Sequence, residues 1–114
     1  MAKEMKEVWL VDYARTAFSR SRPGKPERDV FGEHRGDEIV AKFLMKFFDQ
    51  KLADKGIEKK DIDEAVIACA LPVFENWTYG GRFPLFLADF PQNTPAYFVD
   101  RQCGSAGTAM SNAA

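Results

Sequence analysis

The most restrictive feature of this sequence is a run of seven apolar residues, 65–71, which stops at Pro72. A strand that faces water on one side alternates apolar and polar side chains, whereas this run is apolar at every position. Such a run is typical of a strand that helices cover on both faces, as in parallel sheets. The sequence therefore predicts a layered α/β fold with at least some parallel strand pairing.

A helix is predicted before this strand. Acidic residues at positions 37 and 38 suit the start of a helix, because carboxylates complement the positive end of its dipole. Its apolar positions recur every three to four residues and predict a single buried stripe, which consists of Ile39, Val40, Phe43, Leu44, Phe47, Phe48 and Leu52. Gly56 is expected to cap its carboxyl end.

Four further elements complete the predicted order. Short apolar runs predict strands at residues 8–11 and 96–99. A helix is expected over residues 82–90, with Pro84 tolerated in its first turn, and a last helix from about residue 103. The resulting order β-α-β-α-β-α is typical of an α/β domain with crossover helices.

The composition restricts the partners of this chain. A net charge of −1 and an isoelectric point near 5.8 argue against nucleic acid or an anionic membrane surface as the main partner. No apolar run approaches the roughly 18–20 residues of a membrane helix, and the charged start does not resemble a signal peptide. Two cysteines are too few for a disulfide scaffold, so we expect free thiols and a cytoplasmic location. With one histidine, they are also too few for a structural zinc site, and no metal is expected.

Cys103 is the strongest candidate for a reactive group. It lies between the predicted strand 96–99 and the start of a helix rich in small residues. A strand-to-helix turn of this kind exposes the sulfur at the carboxyl edge of a sheet and directs backbone N–H groups and the positive end of the helix dipole towards it. Both effects favour the thiolate, which is the nucleophilic form of cysteine.

Three stretches, in the same order, resemble the amino-terminal part of the thiolases, the family of acetyl-CoA C-acetyltransferases and 3-ketoacyl-CoA thiolases. Residues 11–18 (VDYARTAF) are similar to the family's first strand and its Asp-x-x-Arg-Thr-x-Phe turn. Residues 57–67 (IEKKDIDEAVI) are similar to its helix-to-strand passage. Most specific are residues 100–105 (DRQCGS), which resemble its Asn-Arg-x-Cys-Gly-Ser nucleophile segment.

The resemblance implies acyl transfer between coenzyme A thioesters, by thiolytic cleavage or Claisen condensation. Cys103 would be the catalytic nucleophile that carries the acyl group, with coenzyme A as substrate and neither metal nor redox cofactor. The family's catalytic histidine, its second cysteine and its coenzyme A loop come from later segments, so residues for cofactor binding remain unknown here. Residues 1–114 would thus be a fragment of the thiolase N-terminal domain, an incomplete first half that is expected to be inactive alone and to act as an enzyme only as part of a complete thiolase.

The sequence departs from the family pattern at several places. Asp100 replaces the usual Asn, residues 106–107 (AG) stand where Gly-Leu is common, and residues 74–82 are unusually aromatic. The connection over residues 19–35 is also longer than in most members. These departures leave the subfamily and the acyl length open, but not the fold. Within the family, an archaeal-type or anaerobic-type acetyl-CoA acetyltransferase is the expected member.

Other candidate residues have simpler interpretations beside the functional one. His34 is expected to be solvated or to flank a helix, and Cys69 to pack in its strand as a small hydrophobe. The basic residues 20–28 are interpreted as a solvated loop rather than a contact for a coenzyme A phosphate. The aromatic stretch fits an interface between subunits or a purely internal core: Phe74, Trp77, Tyr79, Phe83 and Phe86.

Alone, this chain is expected to be poorly stable, self-associating or completed by another chain, because a parallel sheet needs its faces and edges covered. Its expected partners are an acyl-CoA substrate and a second copy or a completing thiolase chain. The alternatives are a non-catalytic truncated remnant or interaction subunit, and another condensing enzyme such as a ketoacyl synthase. The Arg15-Thr16 turn and the segment around Cys103 favour a thiolase over the latter.

Overall fold

A computed structural model describes residues 6–77 and 79–114 and has a two-stranded parallel sheet at its centre. Strand β1 (Ala65–Ala68) pairs with strand β2 (Ala96–Val99) in an unbroken register, with Ala65 opposite Ala96. Helix α1 (Gly36–Phe47) precedes β1, helix α2 (Phe83–Leu87) lies between the strands, and helix α3 (Ser105–Ala113) follows β2. The architecture confirms the predicted incomplete α/β fold with parallel pairing.

Helices cover the sheet as the apolar run predicted. Ala65, Ile67 and Ala96 pack against a core contributed by α1, α2 and their flanking turns. This core consists of Ala41, Phe48, Leu52, Leu85, Ala88 and Phe90. Helix α3 packs against both strands and buries Ala109, which is not part of this core. Alternate side chains of a strand point to opposite faces of the sheet, so a helix on the second face is expected to pack in this way.

The helical segment that begins with α1 ends at Gly56 as predicted, but α1 buries its apolar residues differently. It continues into a wide π-helical turn, Phe48–Leu52, and a 3-10 turn, Ala53–Lys55. Gly56 follows with a φ of +69°, the left-handed conformation that glycine adopts readily. The single buried stripe is wrong, because Ile39 and Phe43 are only half-buried and lie away from the core.

The predicted strand at residues 8–11 is absent from the described part of the chain. These four residues form no strand, and each of their side chains is more than half exposed. A strand is stable only where a neighbour pairs with its backbone, and the sheet of the described residues contains β1 and β2 alone. The apolar run is therefore present without the partner that would make it a strand.

Three elements are shorter than the sequence predicted. β1 ends at Ala68 rather than residue 71, where Leu71 turns the chain with a φ of +56° before Pro72. α2 ends at Leu87 rather than residue 90, because Asp89 is also left-handed, with a φ of +55°. α3 begins at Ser105, two residues later than expected. In the described ranges, no helix is long and apolar enough to cross a membrane.

Candidate functional site

Both cysteines lie at the carboxyl edge of the sheet. Cys69 directly follows β1, and its N–H donates to the Val99 carbonyl oxygen at 3.1 Å, which extends the pairing with β2 by one bond. Cys103 follows β2 after a turn of three residues and has an exposed side chain. Because parallel strands end on the same side, the turns after β1 and β2 meet at this edge.

A tight turn presents Cys103 between β2 and α3. Gln102 adopts a left-handed φ of +50°, and its N–H donates to Asp100 Oδ1 at 2.9 Å. The Gly104 N–H closes the turn by donating to the Arg101 carbonyl oxygen at 3.0 Å. The structure thus places Cys103 at the strand-to-helix turn that the sequence predicted, two residues before the first residue of α3.

The side chain of Ser105 stabilises this turn by two hydrogen bonds, a role that the sequence did not predict. Its side chain is only 4% exposed. Its Oγ accepts from the Arg101 N–H at 2.8 Å and donates to the Gln102 carbonyl oxygen at 2.7 Å. The hydroxyl therefore joins the backbone on both sides of the left-handed residue. A serine at the first position of a helix after a glycine was the available signal, since serine commonly bonds to nearby backbone.

Asp100 gives the turn its second side-chain support. The hydrogen bond from Gln102 N–H needs only a side-chain oxygen at this position, which aspartate and asparagine both supply. The replacement of Asn by Asp therefore preserves the geometry of the turn while it adds a negative charge at the sheet edge.

Cys69 has the environment of a weakly reactive thiol. It is half-buried, and its Sγ–H donates to the Ala70 carbonyl oxygen at 3.5 Å. Burial, and then the nearby Asp100 charge, raise the pKa of the Cys69 thiol above its ordinary value. A raised pKa leaves less thiolate near neutral pH, which agrees with the packing role that the sequence predicted.

His34 lies beside α1 and not at the cysteine edge. Its imidazole is exposed, and Nδ1 is 3.4 Å from Lys42 Nζ. It is the single histidine of the chain, so Cys103 has no imidazole base in the turn that presents it. Residues 6–77 and 79–114 contain no group of three or more histidine, cysteine or acidic side chains that could hold a metal ion.

The basic and aromatic segments are both exposed. Residues 20–28 are exposed throughout and include only a short 3-10 turn, Pro26–Arg28. Of the two interpretations of the aromatic stretch, the purely internal core is wrong, because Phe74, at 89% exposed, and Trp77, at 68%, contribute little to packing. Tyr79 and Phe83 stack on each other at 5.2 Å between ring centroids, but both remain exposed.

Comparison with known proteins identifies the family. The model of the thiolase N-terminal domain matches residues 8–114. Similar proteins include the 3-ketoacyl-CoA thiolases of Pectobacterium carotovorum, 29% identical over 96% of this chain and 26% of the relative, and of Photorhabdus laumondii, 30% identical over the same shares. The 3-ketoacyl-CoA thiolase of Saccharophagus degradans is 29% identical over the whole chain and 27% of the relative. The chain spans about a quarter of the length of these curated relatives, and it belongs to the thiolase family.

Proposed function

We propose that this chain contributes the acyl-accepting cysteine, Cys103, to an enzyme that transfers acyl groups between coenzyme A thioesters. The observation that carries this proposal is the exposed Cys103 thiol in a turn braced by Asp100 and Ser105. Nucleophilic catalysis needs a sulfur that is accessible and fixed in place, and this turn meets both conditions. The 3-ketoacyl-CoA thiolases that match the chain support the choice of reaction.

The reaction divides into two acyl transfers. In the first, the Cys103 thiolate attacks a carbonyl carbon and an S-acyl cysteine forms. In thiolysis this carbon is the 3-keto carbon of a 3-ketoacyl-CoA, and its bond to carbon 2 breaks; in condensation it is the thioester carbon of acetyl-CoA, and its bond to the coenzyme A sulfur breaks. In thiolysis the leaving group is the enolate of acyl-CoA, which takes up a proton at carbon, and in condensation it is the coenzyme A thiolate. In the second, coenzyme A or the carbanion of another acetyl-CoA attacks the acyl carbon and releases Cys103.

Turnover by this scheme requires groups besides those at the Cys103 turn. A base must take the thiol proton, and a second acid–base group must act at the α carbon. His34 lies beside Lys42, so we propose that both groups come from other segments of the complete enzyme and that this chain alone does not turn over. No metal or redox cofactor has a role in this scheme.

The exposed aromatic residues support a proposal about assembly. Phe74, Trp77 and Phe86 each leave apolar surface exposed, and such surface is of the kind that contacts another protein. We propose that it meets a second copy or a completing thiolase chain, in the cytoplasm, where both cysteines stay reduced.

Intact-mass spectrometry after incubation with acetyl-CoA tests the role of Cys103. We expect an acetyl adduct on the parent chain and on Cys69→Ala, and none on Cys103→Ala, with thiolysis of acetoacetyl-CoA undetectable in all three. An adduct that persists in Cys103→Ala contradicts the proposal. A folded parent chain without any adduct would mean that other segments of the complete enzyme supply the base and the binding site that acylation of Cys103 needs, and that this chain alone is catalytically silent.

A further inference from the structure

Helix α1 carries a second apolar face, opposite its core face. Ala41 and Phe48 point into the core, whereas Ile39 and Phe43 lie away from it. Phe47 continues this stripe at the same spacing of four residues and also packs against the edge of the core. The rings of Phe43 and Phe47 stack at 5.8 Å between centroids. A helix that packs on one side of a domain normally has polar residues on its outer face, so this stripe needs a separate explanation.

This apolar stripe forms the floor of a groove. The opposite wall consists of the extended residues 14–17 together with Val30 and Phe31. Asp12 fixes the start of that wall to the end of the α1 region, through Lys51 Nζ at 3.4 Å and Lys55 Nζ at 2.8 Å. The volume of about 680 Å³ lies within the range of small-molecule binding pockets, roughly 300–1,000 Å³.

The rim of the groove is strongly basic. Five of the described residues that line the groove carry basic side chains, and one, Asp49, carries an acidic side chain. The basic residues are Arg15, His34, Lys42, Lys46 and Lys51. In the described part of the chain, Lys51 shares the carboxylate of Asp12 with Lys55, whereas Lys42 and Lys46 form no salt bridge. These two lysines follow each other by one helical turn along the edge of the apolar stripe.

We propose that this groove binds a fatty acid, with the hydrocarbon chain on the apolar floor and the carboxylate at Lys42 and Lys46. An apolar floor beside cations that form no salt bridge is complementary to a ligand with an apolar tail and one anionic end. From Ile39 to Phe47 the floor is about 12 Å long at 1.5 Å per residue, which suits a chain of medium length.

The groove is separate from the candidate acyl-transfer site. It is lined by α1, the π-helical turn that follows it and residues before it, whereas Cys103 lies beyond β2, next to an α3 that packs on the strands. Binding in the groove therefore does not depend on the proposed function, and the Cys103→Ala variant should bind as well as the parent chain.

Dodecanoate, kept below its micellar concentration, is the probe for a titration of the full chain by calorimetry. We expect saturable binding that weakens about tenfold in Lys42→Gln/Lys46→Gln, since two surface ion pairs are lost. The control variant Lys25→Gln/Lys60→Gln removes the same charge outside the groove and should bind like the parent. Far-UV circular dichroism of each variant confirms that the helices are retained.

Dodecyltrimethylammonium has the same tail with a cationic head and provides the matched ligand control. It should bind much more weakly than dodecanoate to the parent chain. Equal affinity for the two ligands, or dodecanoate binding that is unchanged in Lys42→Gln/Lys46→Gln, overturns the proposal, because the groove would then be a general apolar surface. Tight binding of an acidic amphipathic peptide, with none of dodecanoate, would assign the groove to a protein partner and likewise overturn it.

Discussion

Asp100 acts on both turns at the carboxyl edge of the sheet. Its Oδ1 accepts the Gln102 N–H in the turn that presents Cys103, and its charge contributes to the raised pKa of the Cys69 thiol. The first role depends on an oxygen acceptor and the second on a negative charge. Replacement by asparagine therefore separates them.

Asp100→Asn should make Cys69 more reactive without loosening the turn. A negative charge disfavours the thiolate, so its removal lowers the pKa of the Cys69 thiol towards the ordinary value, while the larger effect of burial remains. Iodoacetamide alkylation followed by mass spectrometry in a Cys103→Ser background measures this directly, and the rate at Cys69 should rise near pH 8. An unchanged rate would show that Asp100 does not influence the Cys69 thiol.

At this scale the sequence predicted the position of Cys103 but not its supports. A cysteine between an apolar run and a stretch of small residues indicates a strand-to-helix turn. The bonds of Ser105 depend on the left-handed Gln102, whose conformation no propensity predicts, because a non-glycine residue with positive φ is held by its surroundings.

Among the elements, the start of α1 depends on two carboxylates. Asp37 is 2% exposed, and both of its oxygens accept from the Arg35 guanidinium, at 3.0 and 2.9 Å. Glu75, from the turn after β1, accepts the Gly36 N–H at 2.6 Å. The hydrogen bond from the Gly36 N–H is the main cause of the lowered pKa of Glu75. The hydrogen bond from Arg35 is the main cause of the lowered pKa of Asp37.

Glu75→Gln should destabilise the chain at neutral pH and matter less in acid. A lowered folded-state pKa means that the ionised Glu75 stabilises the fold above its ordinary pKa of 4.5, and that this contribution is lost as the pH falls below that value. The glutamine keeps a neutral hydrogen bond to Gly36, so we expect a loss of about 1 kcal/mol in the free energy of unfolding near pH 7.

Urea titrations at about pH 7 and about pH 3.5 measure this difference. It should shrink in acid, while the control Glu64→Gln, at an exposed position, should differ little from the parent at either pH. A difference for Glu75→Gln that is the same at both pH values would show that ionisation of Glu75 contributes nothing.

A close contact with β2 makes Gly81 a second sensitive point between elements. A Cβ at Gly81 would lie 2.5 Å from the Tyr97 carbonyl carbon, which as backbone has little freedom to move. Gly81→Ala should therefore lower the free energy of unfolding by about 1–3 kcal/mol. Gly107→Ala is the control, because nothing lies within 4 Å of its Cβ and alanine favours helix α3 by about 0.5–1 kcal/mol. Thermal melts that rank Gly81→Ala as the more stable variant would contradict the close contact.

The elements also show where sequence patterns are sufficient. β2 is found at residues 96–99 as predicted, and α1 starts one residue before the predicted acidic pair, because these signals are local. The run at residues 8–11 is as apolar as β2, but pairing is a property of two segments, and no periodicity within one of them predicts whether its partner is present.

The whole molecule is more open than a complete domain of its mass. Its accessible surface is 9118 Å², whereas a compact monomer of 12.9 kDa exposes about 6,300 Å². The radius of gyration is 15.6 Å, compared with about 13 Å for a compact chain of this length. Much of the excess is apolar, at the unpaired residues 8–11 and in the aromatic stretch around Trp77.

We therefore predict that the isolated chain associates with itself and is only marginally stable. Burial of exposed apolar surface favours association, and a small core leaves a narrow margin of stability.

Sedimentation velocity over a range of concentrations should show species larger than a monomer. Phe74→Ser/Trp77→Ser should shift these towards the monomer, because both side chains are exposed and their loss leaves the core intact. Trp9→Ser/Leu10→Ser tests the unpaired run in the same way, and whichever pair restores the monomer identifies the surface that a partner covers. A monomer at every concentration, with a cooperative melt, would contradict the prediction.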